Sequence, residues 1–287
     1  MSEISLIDTF SFNGEPVVKL RLEYLYPHVE RFFIIEAHQT HTGNPKDFLY
    51  KDKCADWFVP YQDKIDWIIL KDFPRMTEEW KSMYNHDWVL NNHEHFHREA
   101  VQRDASRGLI MEKYKGKKYF VFVCDVDEIP NMVHWSKEEQ EKIYNNDLVN
   151  DPIYLSMYFF HYNFNWLYPY FWQNRPYVLK NTLLPLNDFM YWRINYPFHP
   201  SCRKLGLPEA GWHLSYFMDT KDIIRKLKSI AHTECDKDLS DELIEDFVKN
   251  GKNPASIGTK GVSDFMPTPM SLLAWLPKCF HQSEFYK

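Results

Sequence analysis

Cysteine is scarce in this chain, and its placement does not suggest cross-linking. Cys54, Cys124, Cys202, Cys235 and Cys279 are odd in number, widely spaced and without a C-x-x-C pair. That argues against a disulfide framework and against a cysteine-built zinc site. Positive charge is not in excess: 34 Lys and Arg face 40 Asp and Glu, a net charge of −6, so a nucleic-acid partner has no global electrostatic support. No apolar run approaches the ~20 residues of a membrane span. The opening Met-Ser-Glu-Ile-Ser has no charged segment followed by an apolar one, so no signal peptide is visible. These absences predict a soluble protein with no membrane span, working in the cytoplasm. With no internal repeat, low-complexity tract or clear linker across 287 residues, one domain is the economical account.

What is present is a globular composition, 44% hydrophobic and 26% charged, with an aromatic share of 17%. A core of this size needs fewer rings, and exposed ones suit stacking on sugars or bases. Many of the rings would still be core.

The first half reads as α/β. Residues 4–12 and 31–36 are strands flanking a helical stripe of Val17, Leu20, Tyr24 and Leu25, the opening of a parallel sheet. Asn13 is the predicted helix cap, with Pro16 near the first turn. A third strand covers residues 67–70, and Thr77 is expected to cap one long helix running towards Gly108. Ser136 and Glu139 match a capping box. The second half is mixed: a strand over residues 154–160, then Tyr, Phe and Trp crowded among Asn and Pro over 162–172 and 189–198, read as strands and loops with rings lining a cleft. A strand over 210–217 and helices over 220–232 and 240–250 follow, the last ended by Gly251, before a wrapping tail.

The chain centres on Tyr119-Phe-Val-Phe-Val-Cys-Asp125-Val-Asp127-Glu128-Ile-Pro130. The apolar run predicts a strand buried on both faces, with Pro130 stopping further ladder pairing. Two readings fit the carboxylates: an acidic turn, or hard oxygen ligands for a divalent ion that in turn holds a diphosphate. Open α/β sheets bind ligands at the carboxyl ends of their strands. Parallel strands would bring Glu36 to the same edge as Asp125 and Asp127, and His213 follows later. Arg98, Arg103, Lys226 and His232 are candidates for phosphates and base, though each also suits a surface salt bridge. A competing motif is His93-Glu94-His-Phe-His97, which matches the H-E-x-x-H of zinc peptidases on a predicted helix. Its extended form would need Gly and His where Ala100 and Arg103 stand; Glu112 is the conceivable third ligand. A third reading is a non-catalytic carbohydrate-binding protein built on the aromatic surplus.

Several blocks occur in the order of glycosyltransferase family 17: residues 10–15 (Phe-Ser-Phe-Asn-Gly-Glu), Arg21-Leu22, residues 33–36 with Thr40-His-Thr-Gly43, residues 125–130, and Ala210-Gly-Trp-His-Leu-Ser215. The chain resembles that family, which includes the bisecting N-acetylglucosaminyltransferases, over residues 4–251. The resemblance implies a GT-A-like fold, with a Rossmann-type nucleotide-sugar half at about residues 1–135 and an aromatic-rich acceptor half at about 136–287. It implies a UDP-sugar donor, UDP-GlcNAc first, a Mn²⁺ or Mg²⁺ ion, inversion at the anomeric carbon, and a glycan or glycoprotein acceptor. Asp125 and Asp127 would hold metal and diphosphate, with His213 as a further ligand. Phe10, Asn13, Glu15, Glu36 and Thr42 would lie near the uridine. Inversion needs a base: Glu209 first, with Glu128 and Asp188 in reserve. Trp166, Trp172, Trp192 and Trp212 are the candidate sugar platforms. The animal enzymes are membrane-anchored; an unanchored version suits a cytoplasmic bacterial or viral enzyme with a different acceptor.

Overall fold

The computed structural model describes residues 3–84, 86–146, 151–173, 175–198, 205–229, 240–254 and 264–286. Among them, twelve strands form two mixed sheets. The first contains β1 (Ser5–Ser11), β2 (Arg31–Ala37), β3 (Ile65–Leu70), β4 (Tyr119–Val123), β6 (Ile153–Leu155), β9 (Tyr177–Lys180) and β10 (Leu205–Leu207). The second contains β5 (Glu128–Pro130), β7 (Tyr158–His161), β8 (Asn163–Leu167), β11 (Gly211–Ser215) and β12 (Met266–Pro267). With helices packed around them, the protein is α/β, as expected.

The first sheet runs β10-β6-β9-β4-β1-β2-β3. β1 pairs in parallel with both β2 and β4, and β2 with β3. The chain therefore steps outward from β1 to β3 and returns to the other side of β1 as β4. Where the order reverses, the carboxyl ends of β1 and β4 border a crevice, the usual ligand position in such sheets. β4 is central because its alternation serves two cores. Phe120, Phe122 and Cys124 join the main cluster, with Trp135 against both phenylalanines, while Tyr119, Val121 and Val123 face a second cluster. β9, β6 and β10 come from beyond residue 135 and extend this sheet.

Some expected elements differ. Pro130 does not stop pairing: β5 lies antiparallel to β11, with Gly211 opposite Pro130. As the outermost strand of its sheet, β5 has a side with no donor to supply, and proline is tolerated there. Gly211 is required by closeness, since a Cβ there would lie 2.3 Å from the Ile129 carbonyl oxygen. Asn13 does not cap the first helix, Val18–Leu25, whose N-cap is Val17; its backbone N–H instead donates to Glu15 Oε2 at 2.7 Å.

The single long helix is broken into Glu78–Met83, Asp87–Leu90, His93–Asp104 and Arg107–Lys113. Thr77 does cap the first, accepting from Trp80 N at 3.1 Å. Asn91 and Asn92, poor interior helix residues, separate the second and third, and Gly108 lies inside the fourth. The strand expected over 154–160 is two, β6 and β7, one in each sheet, with Ser156 and Met157 at the crossing. Residues 189–194 form the helix Phe189–Ile194. Gly251, at φ +63, ends the helix Asp241–Asn250 as expected. The tail returns Leu273, Leu276, Phe280 and Phe285 to the main core.

Candidate active site

A cavity of about 770 Å³ opens at the carboxyl ends of β1 and β4, within the ~300–1,000 Å³ of small-molecule sites. Ser11 lines it at the end of β1, Asn13 and Glu15 just beyond, and Asp125, Val126 and Asp127 beyond β4. Thr40 and His41 line it beyond β2, and Lys226 from the helix Thr220–Ser229.

The turn carrying the carboxylates is fixed from beneath by a buried guanidinium. Arg21 pairs with Asp8 through Nη2 and Nε at 2.6 and 2.8 Å, both side chains fully buried. Its Nη1 donates to the carbonyl oxygens of Asp125 at 2.9 Å and Glu128 at 2.7 Å. One planar fork thus ties β1 to two points of the turn, the Asp125 and Glu128 carbonyls, which a lysine could not do. The other support is β11: Leu214 N donates to the Asp127 carbonyl at 2.7 Å, and His213 stands opposite Glu128. The two blocks most specific to the resemblance, Asp125–Pro130 and Ala210–Ser215, are therefore strand partners.

The three carboxylates have different partners. Asp125 accepts from Arg103 at 2.7 Å and Arg193 at 2.5 Å; burial opposes its charge, but the two guanidiniums hold the carboxyl far below the usual range. Glu128 is fully buried, forked by Arg193 at 2.9 and 3.1 Å, and accepts from Asp125 N at 2.6 Å and the Trp172 indole at 2.7 Å. Asp127 takes Lys226 at 2.8 Å on one oxygen. Its other oxygen lies 3.6 Å from His213 Nε2. Against burial, Lys226 and then His213 hold Asp127 low, while burial lowers His213.

A divalent ion fits this donor set in part. Among the described residues no three His, Cys, Asp or Glu side chains group as a metal site. Asp127 and His213 converge, and His213 keeps a buried Nδ1 with no partner. Asp125 does not join them, because both its oxygens serve arginines. Ions of the Mg²⁺ type often use only one or two protein ligands and take the rest from phosphates and water.

The other expected residues are more scattered. Asn13, Glu15, Arg103, Lys226 and His213 line the cavity. Phe10 is buried core under Arg21, whose Cζ is 4.6 Å from its ring. Glu36 turns away from the cavity: it accepts from Leu49 N at 2.6 Å, Tyr50 N at 3.3 Å and Lys46 at 3.2 Å, anchoring the loop that follows β2. Thr42 bonds Thr40 and the Lys228 carbonyl. Arg98 supports the His41 carbonyl at 3.0 Å and pairs with Glu94. His232 lies outside the described residues. Asp188 caps the helix Phe189–Ile194, accepting from Tyr191 N at 2.7 Å and Tyr84 at 2.6 Å. Glu209 is exposed in the turn just before β11, with φ +51, and accepts from the Tyr158 hydroxyl at 2.8 Å.

Of the four tryptophans, Trp172 lines the cavity. Trp192 and Trp212 are core, and Trp166 packs on Gly251 and donates to the Val248 carbonyl at 2.9 Å. Sequence reasoning passed over Arg193, which no motif marks, and His161, which lines the cavity with both ring nitrogens buried and unpartnered. Arg21 was legible only as part of one of the blocks that carry the resemblance.

The zinc-peptidase reading is overturned. His93 and His97 do share a helix, but His97 is packed edge-on to Trp80 at 5.0 Å and Glu94 is paired with Arg98 on the surface. No third ligand joins them among the described residues.

The model of the family described as glycosyltransferase family 17 matches residues 3–257. A search among curated proteins finds no match.

Proposed function

The chain belongs to glycosyltransferase family 17 and is a glycosyltransferase, and on that premise we propose that it transfers GlcNAc from UDP-GlcNAc, with inversion and with a divalent ion, to a hydroxyl of a glycan or glycoprotein. This membership also sets aside the non-catalytic carbohydrate-binding reading. The observation that carries the proposal is the convergence of Asp127, His213 and Lys226 at the carboxyl end of β4. In this reading the fold is GT-A-like, with the nucleotide-sugar half over about residues 1–135 and the acceptor half over about 136–287.

Asp127 and His213 would hold a Mn²⁺ or Mg²⁺ ion, which when bound supplies positive charge to the departing diphosphate. Lys226, kept protonated by Asp127, donates to the same phosphates. Arg103 and Arg193 are fixed by Asp125 and Glu128, so their positive field needs no rearrangement as charge develops. Asn13 and Glu15 face the nucleoside end. Glu209 takes the proton of the attacking hydroxyl, because Glu128 and Asp188 are both committed to structure. The Tyr158 hydroxyl, pushed up to about 12 by burial and Glu209, stays a donor that orients that carboxylate.

Incubation with Mn²⁺ and a panel of UDP-sugars, followed by UDP release and thermal shift, tests the proposal. UDP-GlcNAc should stabilise the protein and turn over. If no UDP-sugar stabilises it, and Asp125→Asn and Asp127→Asn leave turnover intact, the proposal fails.

A further inference from the structure

From the Asp127–His213 corner an aromatic wall runs to the molecular surface. His213 stacks on Phe159, with centroids 4.5 Å apart and planes at 11°, and Trp172 lies 4.6 Å from His213. Phe171 follows, 5.1 Å from Tyr158, and Tyr170 stands at the rim, 5.8 Å from Tyr168. Phe159, Tyr168, Phe171 and Trp172 line the cavity, whereas Tyr170 is 67% and Phe171 40% exposed.

These exposed rings sit on a pinned loop. Tyr168 N donates to the Phe159 carbonyl at 2.7 Å, and Trp172 exchanges two 2.9 Å backbone bonds with Met157. The Trp172 indole is tied to Glu128 at 2.7 Å. Both ends of the loop are thereby fastened to β7 and to the carboxylate turn. The exposed part of each ring, held rigidly in water, adds nothing to the core, so its exposure is useful where an amphipathic ligand covers it.

We propose that Tyr170, Phe171 and Trp172 form the platform on which the acceptor's sugar rings stack as its hydroxyl reaches the Asp127–His213 corner. The inference rests on the glycosyltransfer reading above and names the acceptor end of that site. Two observations select a saccharide over a protein face. The wall continues into a cavity, and it carries the Glu209 carboxylate beside Tyr158, an acceptor for sugar hydroxyls. The opposite end of the cavity, beyond β1 and β2, is left to the nucleotide.

The test uses the full chain with chitotriose and mannotriose as probes, read by saturation-transfer NMR from aromatic protons, and UDP with Mn²⁺ by calorimetry. The double variant Tyr170→Ala/Phe171→Ala should weaken the bound trisaccharide by about tenfold or more, on the scale of lost stacking contacts. Tyr170→Phe/Phe171→Tyr should restore it, and UDP affinity should move by less than about twofold in both variants. The platform is overturned if neither trisaccharide binds the natural protein, if the alanine variant binds it equally, or if UDP affinity falls in parallel. Absence of UDP binding by the natural protein would instead sink the nucleotide-sugar reading, with the saccharide result still deciding the platform.

Discussion

Trp172 donates its indole N–H to Glu128 Oε1 at 2.7 Å, across the boundary between cavity wall and sheet. Glu128 is consequently saturated: the Arg193 fork, Asp125 N and Trp172 occupy its oxygens. It fixes the guanidinium beside Asp125 and the ring beside His213 at once, which is a positioning role and leaves no lone pair to remove an acceptor proton.

Glu128→Gln keeps the shape and removes the charge. Arg193 then stays buried with one carboxylate in place of two, and a broken buried pair costs about 3–5 kcal/mol. Urea unfolding at neutral pH should show a loss of roughly that size; a loss under about 1 kcal/mol would contradict the network described.

Arg21→Lys tests the fork beneath the turn. A lysine can satisfy Asp8 or the carbonyls of Asp125 and Glu128, not all of them. Stability should fall by about 2 kcal/mol or more as buried acceptors lose their donor, and turnover should fall with it because Asp127 is carried on that turn. Unchanged turnover in a folded Arg21→Lys protein would mean that Arg21 does not position the turn.

Burial lowers His41, His97, His161 and His213 relative to the ordinary value near 6.5. The unfolded chain therefore binds more protons than the folded one below about pH 6.5. Stability is full above that pH and declines as pH falls through the window beneath it. The urea midpoint should drop between about pH 7.5 and 5.5; a flat or rising midpoint would show that these rings are protonated in the folded protein.

His161 is surrounded by Phe159, Tyr162, Tyr216 and Phe265, with both nitrogens buried and unpartnered. His161→Phe should therefore stabilise the ligand-free protein, by about 1 kcal/mol, and flatten part of the acid decline. Destabilisation by a similar amount would mean that the ring has a partner.

Much of this was legible in the sequence because it is local. β4 announced itself as an apolar run, Ser136 and Gly251 as caps, and Thr77 as a helix start. What failed was non-local. Nothing near Pro130 says that β11 will come alongside, although Gly211 is glycine for that reason. Glu36 reads as a strand-end carboxylate until the backbone N–H groups of Leu49 and Tyr50 arrive to occupy it. Arg193 carries no motif, and its role exists only because the helix Phe189–Ile194 packs over the carboxylate turn. The two motif blocks were visible separately; that they are strand partners was not.

In the proposed function Asp127, with His213 and Lys226, receives the diphosphate of a nucleotide sugar. Calorimetric titration of UDP with and without Mn²⁺, on the natural protein and on Asp127→Asn, tests it most directly. UDP binding should be enhanced by Mn²⁺, and Asp127→Asn should weaken it by about 100-fold, at least the loss caused by removing an outer-shell partner of a metal site. Equal UDP affinity in the two proteins, with the same response to Mn²⁺, would contradict it.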